Sequence, residues 1–228
     1  MLLALAPILP PIAASAGLDR RIDAPGVALT FDDGPHPLGT PAVLDLLDAA
    51  QARATFFLAG EQVERYPQLA AEVAARGHLP ALHCHRHRVQ LRLPEGALRA
   101  DLERARSVIA DATGIEPWLH RPPLGIYSGR GLRLVRAAGL RPLLWSRWGK
   151  DWRKWTTPAR IARRATRDLQ AGDVILLHDA DHYSARDSWR RTVAALPSIL
   201  EEIERAGLRT SQPTGSASMS PAPARSHS

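Results

Sequence analysis

Two adjacent carboxylates, Asp32 and Asp33, stand directly after the apolar run 27–31 and before Gly34-Pro35. A turn at that point can aim neighbouring side chains in different directions, so one carboxylate can bind a cation while the other accepts a proton. Taken alone, Asp-Asp-Gly also suits an ordinary turn in which aspartate caps the backbone. The tract His83-Cys84-His85-Arg86-His87 adds imidazoles. Histidines four apart meet on one face of a helical turn, so His83 and His87 can converge if such a turn begins there, with His85 pointing away. Two neutral imidazoles and one carboxylate suit zinc or a neighbouring divalent metal and leave positions for water and substrate. Surface histidines in a basic loop are the alternative. Leu176-Leu177-His178-Asp179 puts a histidine at the end of an apolar run, a placement that suits a general acid or base, although a hydrogen-bonded structural histidine would look the same. Trp145, Trp148, Trp152 and Trp155 surround Asp151. Aromatic walls near a polar site can hold flat apolar faces, and taken by themselves they more often serve packing.

Residues so far apart in sequence need a scaffold that gathers them. Short apolar runs alternate with amphipathic helical stretches along the chain, the pattern of a parallel sheet or barrel wrapped by helices. Strands are predicted at 27–31, 55–58, 79–83, 117–120, 142–146, 174–177 and 208–211. Helices are predicted from Thr40 to Ala50 with Pro41 in the first turn, over 61–76 ending at Gly77, over 95–112 before Gly114, before Gly139, from Thr157-Pro158, and over 188–206. The fold class is therefore α/β, a distorted (β/α) barrel of about seven strands. In such a fold, chemistry gathers where strands end and loops converge. Asp32 and Asp33, His83 and His87, Arg121, Asp151 and His178 each follow a different predicted strand, and so share one rim.

With 228 residues and 45% hydrophobic content, the chain can bury one sizeable core but not two ordinary enzyme domains. We expect an apolar N-terminal segment at 1–24, one catalytic domain at 25–211 and a disordered Ser/Pro/Ala-rich tail at 212–228. The apolar start ends in a small-residue run, Ala13 to Ala16, but lacks basic residues and is broken by Pro7, Pro10 and Pro11. It fits a weak secretion signal, part of a membrane segment, or a strand and loop covering the barrel. An extracellular or envelope-associated location is expected, membrane attachment through this segment and a cytoplasmic location staying open. Cys84 is the sole cysteine, which excludes an intrachain disulfide. The formal charge of +7 invites an anionic partner. The basic residues are mixed with acids on helix-like stretches, so no nucleic-acid partner is expected, and the protein is expected to be a monomer.

The segment Thr30-Phe31-Asp32-Asp33-Gly34-Pro35, the pair His83 and His87, Arg121-Pro122-Pro123-Leu124-Gly125, Asp151-Trp152 and Leu176-Leu177-His178-Asp179 resemble, in order and spacing, the five motifs of the polysaccharide deacetylases, carbohydrate esterase family 4. The resemblance spans about 27–211. It implies a metal-dependent hydrolase that removes N-acetyl groups from amino sugars of a carbohydrate polymer such as peptidoglycan or chitin. It implies a metal site at Asp33, His83 and His87, filled by zinc or by cobalt, nickel or manganese. It further implies Asp32 as general base, Arg121 holding Asp32, Asp151 orienting His178, and His178 protonating the departing amine. Leu124, through its backbone N–H, Trp152 and Leu176 would face the substrate. An acetamide is a poor electrophile, so a cation at its carbonyl and opposed proton acceptor and donor groups make physical sense together. The sequence departs from the family pattern at Leu79-Pro80-Ala81-Leu82, at Trp148 and at Leu124. An O-acetyl esterase acting on xylan, or an inactive carbohydrate-binding relative, would share much of this pattern.

Overall fold

A computed structural model of the protein describes residue 6 and residues 9–215. Seven strands form one sheet: β1 (Ala28–Asp32), β2 (Ala54–Ala59), β3 (Leu79–Cys84), β4 (Leu119–His120), β5 (Arg141–Pro142), β6 (Arg147–Trp148) and β7 (Val174–His178). Their order is β5-β4-β3-β2-β1-β7-β6, and every pairing is parallel. All five residues of β1 and all six of β2 are buried. Strands covered on both faces need continuous apolar runs rather than alternation, which is why these elements read clearly from the sequence.

The sheet has to curl. Its two edge strands, β5 and β6, are joined only by residues 143–146, a reach of about 17 Å at 3.3–3.6 Å per residue. The edges of a flat seven-stranded sheet would stand roughly 29 Å apart at about 4.8 Å per strand. One extended stretch therefore serves both edges: Leu143 N–H donates to the carbonyl of His120 (3.0 Å) and Ser146 N–H to that of Val174 (3.0 Å). Residues 19–21 fill the seam, with Asp19 bridged to Leu143 and Arg21 to Asp173. The result is the distorted (β/α) barrel that the sequence predicts, open as a curled half-barrel.

Among the described residues eight helices wrap it: α1 (Pro10–Ser15), α2 (Gly39–Ala49), α3 (Gly60–Arg65), α4 (Pro67–Ala75), α5 (Glu95–Thr113), α6 (Gly129–Ala137), α7 (Pro158–Ala165) and α8 (Ser188–Arg205). Local signals set their ends. Thr157 and Ser128 cap α7 and α6 by accepting the N–H of Arg160 and Gly131. Gly114 closes α5 with φ 69°, a left-handed conformation that glycine adopts without a Cβ clash.

Four expectations change. The helix predicted over 61–76 is two helices, because Pro67 drives Tyr66 out of the helical region (φ −135°, ψ 57°). The run 142–146 is not one strand: the chain leaves β4 after Pro142 and pairs β7 from Arg147. The run 208–211 is not a strand but a single bridge between Thr210 and Val27, since β1 is already flanked by β2 and β7. The tail expected from residue 212 is tied down at its start, where the Gln212 amide donates to the carbonyls of Ala54 (2.8 Å) and Gly77 (3.2 Å); residues 216–228 of that expectation lie outside the described ones. The expected apolar segment also lies partly outside them. From residue 9 it forms α1 and then buries Leu18 and Ile22 in the core. No helix among the described residues is long and apolar enough to cross a membrane.

Candidate active site

The carboxyl ends of β1, β3 and β7, with the loops after β4 and β6, converge on one cleft. Asp32 ends β1, level with Phe57 on β2 and His178 on β7. Asp33 follows in a left-handed conformation, φ 79°, which non-glycine residues adopt at a cost of order 1–3 kcal/mol and which clusters at functional sites. That reversal separates the two neighbouring carboxylates. Asp32 Oδ1 accepts from Arg121 Nη1 (2.7 Å), while Asp33 turns toward His83 and His87. Gly34 is required next: a Cβ there would lie 2.5 Å from the buried carboxylate of Asp179. Burial pushes the Asp179 carboxyl up to about 7 despite the hydrogen bond from the Thr40 hydroxyl.

His83 sits at a register shift. Leu58 pairs with Leu82 and Ala59 with Cys84, which leaves His83 as the extra residue of a bulge, a device that re-aims a side chain. Its Nδ1 lies 2.8 Å from the carbonyl of Arg121. That carbonyl accepts only, so Nδ1 carries the proton, and in the neutral ring Nε2 is a bare lone pair. Nε2 is 3.3 Å from Asp33 Oδ1, and His87 Nε2 is 3.6 Å from the same oxygen. Both distances fall within ion-pair reach, yet Asp33 Oδ1 is buried without a hydrogen-bond partner. Three atoms that can ligate a cation, one each from Asp33, His83 and His87, therefore lie within 4.8 Å of one another. A tetrahedral cation with ligands at about 2.0–2.1 Å separates those ligands by about 3.3–3.4 Å, so the set fits a divalent ion. Burial favours the neutral, ligating form of His87 by pulling its pKa below the usual value, the charge of Asp33 opposing. For Asp33, burial raises the pKa, but the proximity of His83 first, and then of His178 and His87, outweighs it and holds the carboxyl below its usual range.

His83 and His87 do converge, but not on the helical turn that the four-residue spacing suggested: residues 85 and 86 form a bend and 87–89 have no regular structure. The loop is held from outside by Asp101 of α5, which accepts the N–H of His85 (2.8 Å) and of Arg86 (3.1 Å). His85 turns away from the metal set, its Nε2 3.9 Å from Glu64. Tyr183 stacks on His87 at 4.3 Å and 13°, with its hydroxyl donating to Glu61 (2.5 Å) and accepting from the Gln62 amide (3.0 Å).

Arg121 is fully buried and fully engaged. Besides Asp32, its Nη1 reaches Thr30 Oγ1 (2.8 Å), Nε the carbonyl of Leu143 (3.0 Å) and Nη2 that of Leu144 (2.8 Å), and its plane covers Phe57 at 4.0 Å. Such a fork is rigid and cannot follow a moving partner.

The opposite wall is closed by hydrogen bonds. Asp151 accepts from His178 Nδ1 (3.0 Å), from the His178 backbone N–H (2.7 Å) and from the Thr192 hydroxyl (2.8 Å). His178 Nε2 then points across the cleft, 4.0 Å from Asp33 Oδ2. Burial works against a charged His178, but the Asp151 carboxylate, with Asp33 and Asp32 beyond it, wins and pushes the ring up to about 10. His178 can therefore carry a proton at neutral pH. Leu176, two residues earlier on β7 and so on the same face, lies buried beneath it. Trp152 meets the ring edge-on at 5.5 Å and continues through Trp148 to Trp145 in the core. Trp155 stands outside that stack, 81% exposed. Leu124 lies in the turn Pro123–Gly125 with φ 59° and its side chain exposed. Asp32, Asp33, His83, His87, Arg121, Asp151 and His178 thus lie together at one cleft or its wall, whereas His85 turns toward Glu64 and Trp155 stands exposed. Asp101, Tyr183 and Thr192 were missed, since nothing in their local sequence marks them. A concavity of about 900 Å³ between α2 and α8 lies at the other end of the barrel and holds none of these groups.

Comparison with known proteins agrees with this geometry. The polysaccharide deacetylase family model matches residues 19–143. A peptidoglycan-N-acetylglucosamine deacetylase of Bacillus cereus is 36% identical over 185 residues, covering 80% of this chain and 84% of the relative. A chitooligosaccharide deacetylase of a Bradyrhizobium species is 33% identical over 190 residues, covering 79% and 85%. The family 4 carbohydrate esterase of Streptomyces lividans, solved in complex with acetate, superposes with a TM-score of 0.74 at 29% identity, covering 84% of this chain and 93% of that one. The chain is a hydrolase of the polysaccharide deacetylase family, carbohydrate esterase family 4.

Proposed function

We propose that the protein is a metal-dependent deacetylase that removes N-acetyl groups from amino sugars of a polysaccharide, with Asp33, His83 and His87 holding the ion, zinc by its ligand set. The observation that carries this reading is the meeting of one potential ligand atom each from Asp33, His83 and His87 within 4.8 Å, the Asp33 oxygen being buried without a hydrogen-bond partner. A bound divalent cation supplies polarisation of the acetyl carbonyl and a lower pKa for water. Asp32 accepts the proton that water gives up on attacking the carbonyl carbon. Its Oδ1 is taken by Arg121, so Oδ2 is the free oxygen, and the immobile guanidinium keeps it aimed into the cleft. His178 faces the site from the other wall with a proton on Nε2, held charged and oriented by Asp151. It gives that proton to the amide nitrogen as the carbon–nitrogen bond breaks, so the leaving group departs as a neutral amine. Trp152 and Leu176 supply an apolar floor at His178, and the N–H of Leu124, in the turn after β4, a donor to the substrate oxygen.

The test is acetate release from chitin oligomers, peptidoglycan and acetylated xylan measured side by side, with and without chelator. Release from the first two, lost with chelator and restored by zinc, is the expected result. Release from xylan alone would make the protein an O-acetyl esterase, and release from none, with binding retained, an inactive carbohydrate-binding relative.

A further inference from the structure

Two loops beside the cleft carry a local excess of positive charge. Loops 85–94 and 149–157 hold six basic side chains against a single carboxylate, the buried Asp151, a local net charge of +5. Both lysines of the protein, Lys150 and Lys154, lie in the second loop. Several cations elsewhere are paired: Arg76 with Asp45, Asp48 and Glu72, Arg104 with Glu64, Arg141 with Asp19 and Arg147 with Asp173. In the two loops only Arg88 has a carboxylate partner among the described residues, Asp101 at 3.1 Å. Arg86, Arg92, Arg153 and Lys154 are exposed.

The loops lie on opposite sides of the reacting centre. The first carries His87, and the second carries Asp151 and Trp152 against His178. Each also presents an exposed apolar side chain, Leu91 at 48% and Trp155 at 81% exposure, the latter with Lys154 Nζ 4.9 Å from its ring centre. Single-sign charge lining a cleft attracts the opposite charge over distances beyond contact, and an exposed indole offers a flat face to a sugar ring.

Building on the deacetylase reading above, we propose that loops 85–94 and 149–157 form a cationic clamp for an anionic, carboxylate-bearing polysaccharide, gripping the chain on both sides of the acetyl group that is cut. A neutral polymer would gain the apolar contacts but not the attraction.

The test compares acetate release from peptidoglycan glycan with release from the same polymer after its carboxyl groups have been blocked as neutral amides, with a neutral N-acetylglucosamine oligomer as reference. The clamp predicts that blocking lowers kcat/KM about tenfold, mainly through KM. Raising salt from about 50 to about 500 mM, which shortens the screening length from roughly 14 to roughly 4 Å, should lower kcat/KM on the native polymer and leave the blocked one nearly unaffected. The surface variant Arg92→Ser/Lys154→Ser should shrink the preference for the native polymer severalfold. Equal turnover of native and blocked polymer, or a preference that the variant keeps, overturns the clamp while leaving the deacetylase reading standing. No acetate from any of the three overturns both. Stronger retention on phosphatidylglycerol vesicles or single-stranded DNA than on the native glycan would reassign the charge to a membrane or a nucleic acid and overturn the proposal.

Discussion

The two walls of the cleft are built on opposite principles. On the β6–β7 wall the carboxylate of the dyad is satisfied within the protein: Asp151 receives three hydrogen bonds, one of them orienting His178 so that only its Nε2 faces the cleft. On the β1–β3 wall, Asp33 Oδ1 is buried and unpartnered while two imidazole nitrogens point at it. Buried polar atoms are nearly always satisfied, and each exception asks for an explanation. The satisfied wall is complete as folded and ready to handle a proton. The unsatisfied wall is the one that the proposed cation would complete. Unmet hydrogen-bonding capacity, more than any single residue type, distinguishes the part of the site that binds from the part that is already assembled.

The comparison breaks most severely where the cation would sit. His83→Ala or His87→Ala should lose the ion, and acetate release should fall about a thousandfold or more; metal analysis after dialysis together with the acetate assay checks both, and a variant that keeps its metal was not a ligand. Asp32→Asn should keep the metal while turnover drops roughly 10²–10⁴-fold, a split between metal content and kcat that full activity would refute.

On the satisfied wall the expected signature is a shift in pH dependence. His178 is raised to about 10 from a usual 6.5, chiefly by Asp151 against the opposing effect of burial. A raised histidine contributes stability that is complete below about pH 6.5 and is lost as pH climbs toward about 10. Asp151→Asn removes the main source of that rise. We expect about a hundredfold lower kcat, an alkaline limb of the rate profile displaced downward by a unit or more, a smaller stability loss between neutral and alkaline pH than in the wild type, and unchanged metal content. An alkaline limb that stays where it was would show that Asp151 does not set the proton affinity of His178.

The smallest effect concerns Tyr183. Removing the stack with Tyr183→Leu should weaken zinc binding up to about tenfold, as outer partners of metal ligands do. Tyr183→Phe keeps the ring on His87 and loses only the Glu61 and Gln62 contacts, so it should restore most of that affinity. Equal affinities in all three proteins would mean that the stack does not position His87.

Much of this was legible in the sequence because the site rides on strand ends. β1, β2, β3 and β7 are short apolar runs bounded by turn residues, and Asp32, His83 and His178 close three of them. The split of 141–148 between two sheet edges was not legible, since Arg147-Trp148 has no apolar run and is defined only by its long-range partner β7. The spacing of His83 and His87 was read as a helical turn, whereas a bulge at β3 and the carboxylate of Asp101 do the positioning. Both depend on the register of β2 against β3 and on the placement of α5, contacts that a periodicity in one segment does not carry. Thr192 and Tyr183 were missed for the same reason: each acts on a residue from another element.

The most direct measurement is the thermal unfolding of metal-free protein with and without zinc. A ligand held only by the native state stabilises by about 4 kcal/mol at a thousand times its Kd, which for a domain of this size is a rise in Tm of roughly 8–16 °C. We predict a rise of that order, saturating at one zinc per chain and absent in Asp33→Ala. A wild-type Tm indifferent to zinc, or an equal rise in Asp33→Ala, would contradict the claim that the three facing acceptors form a cation site.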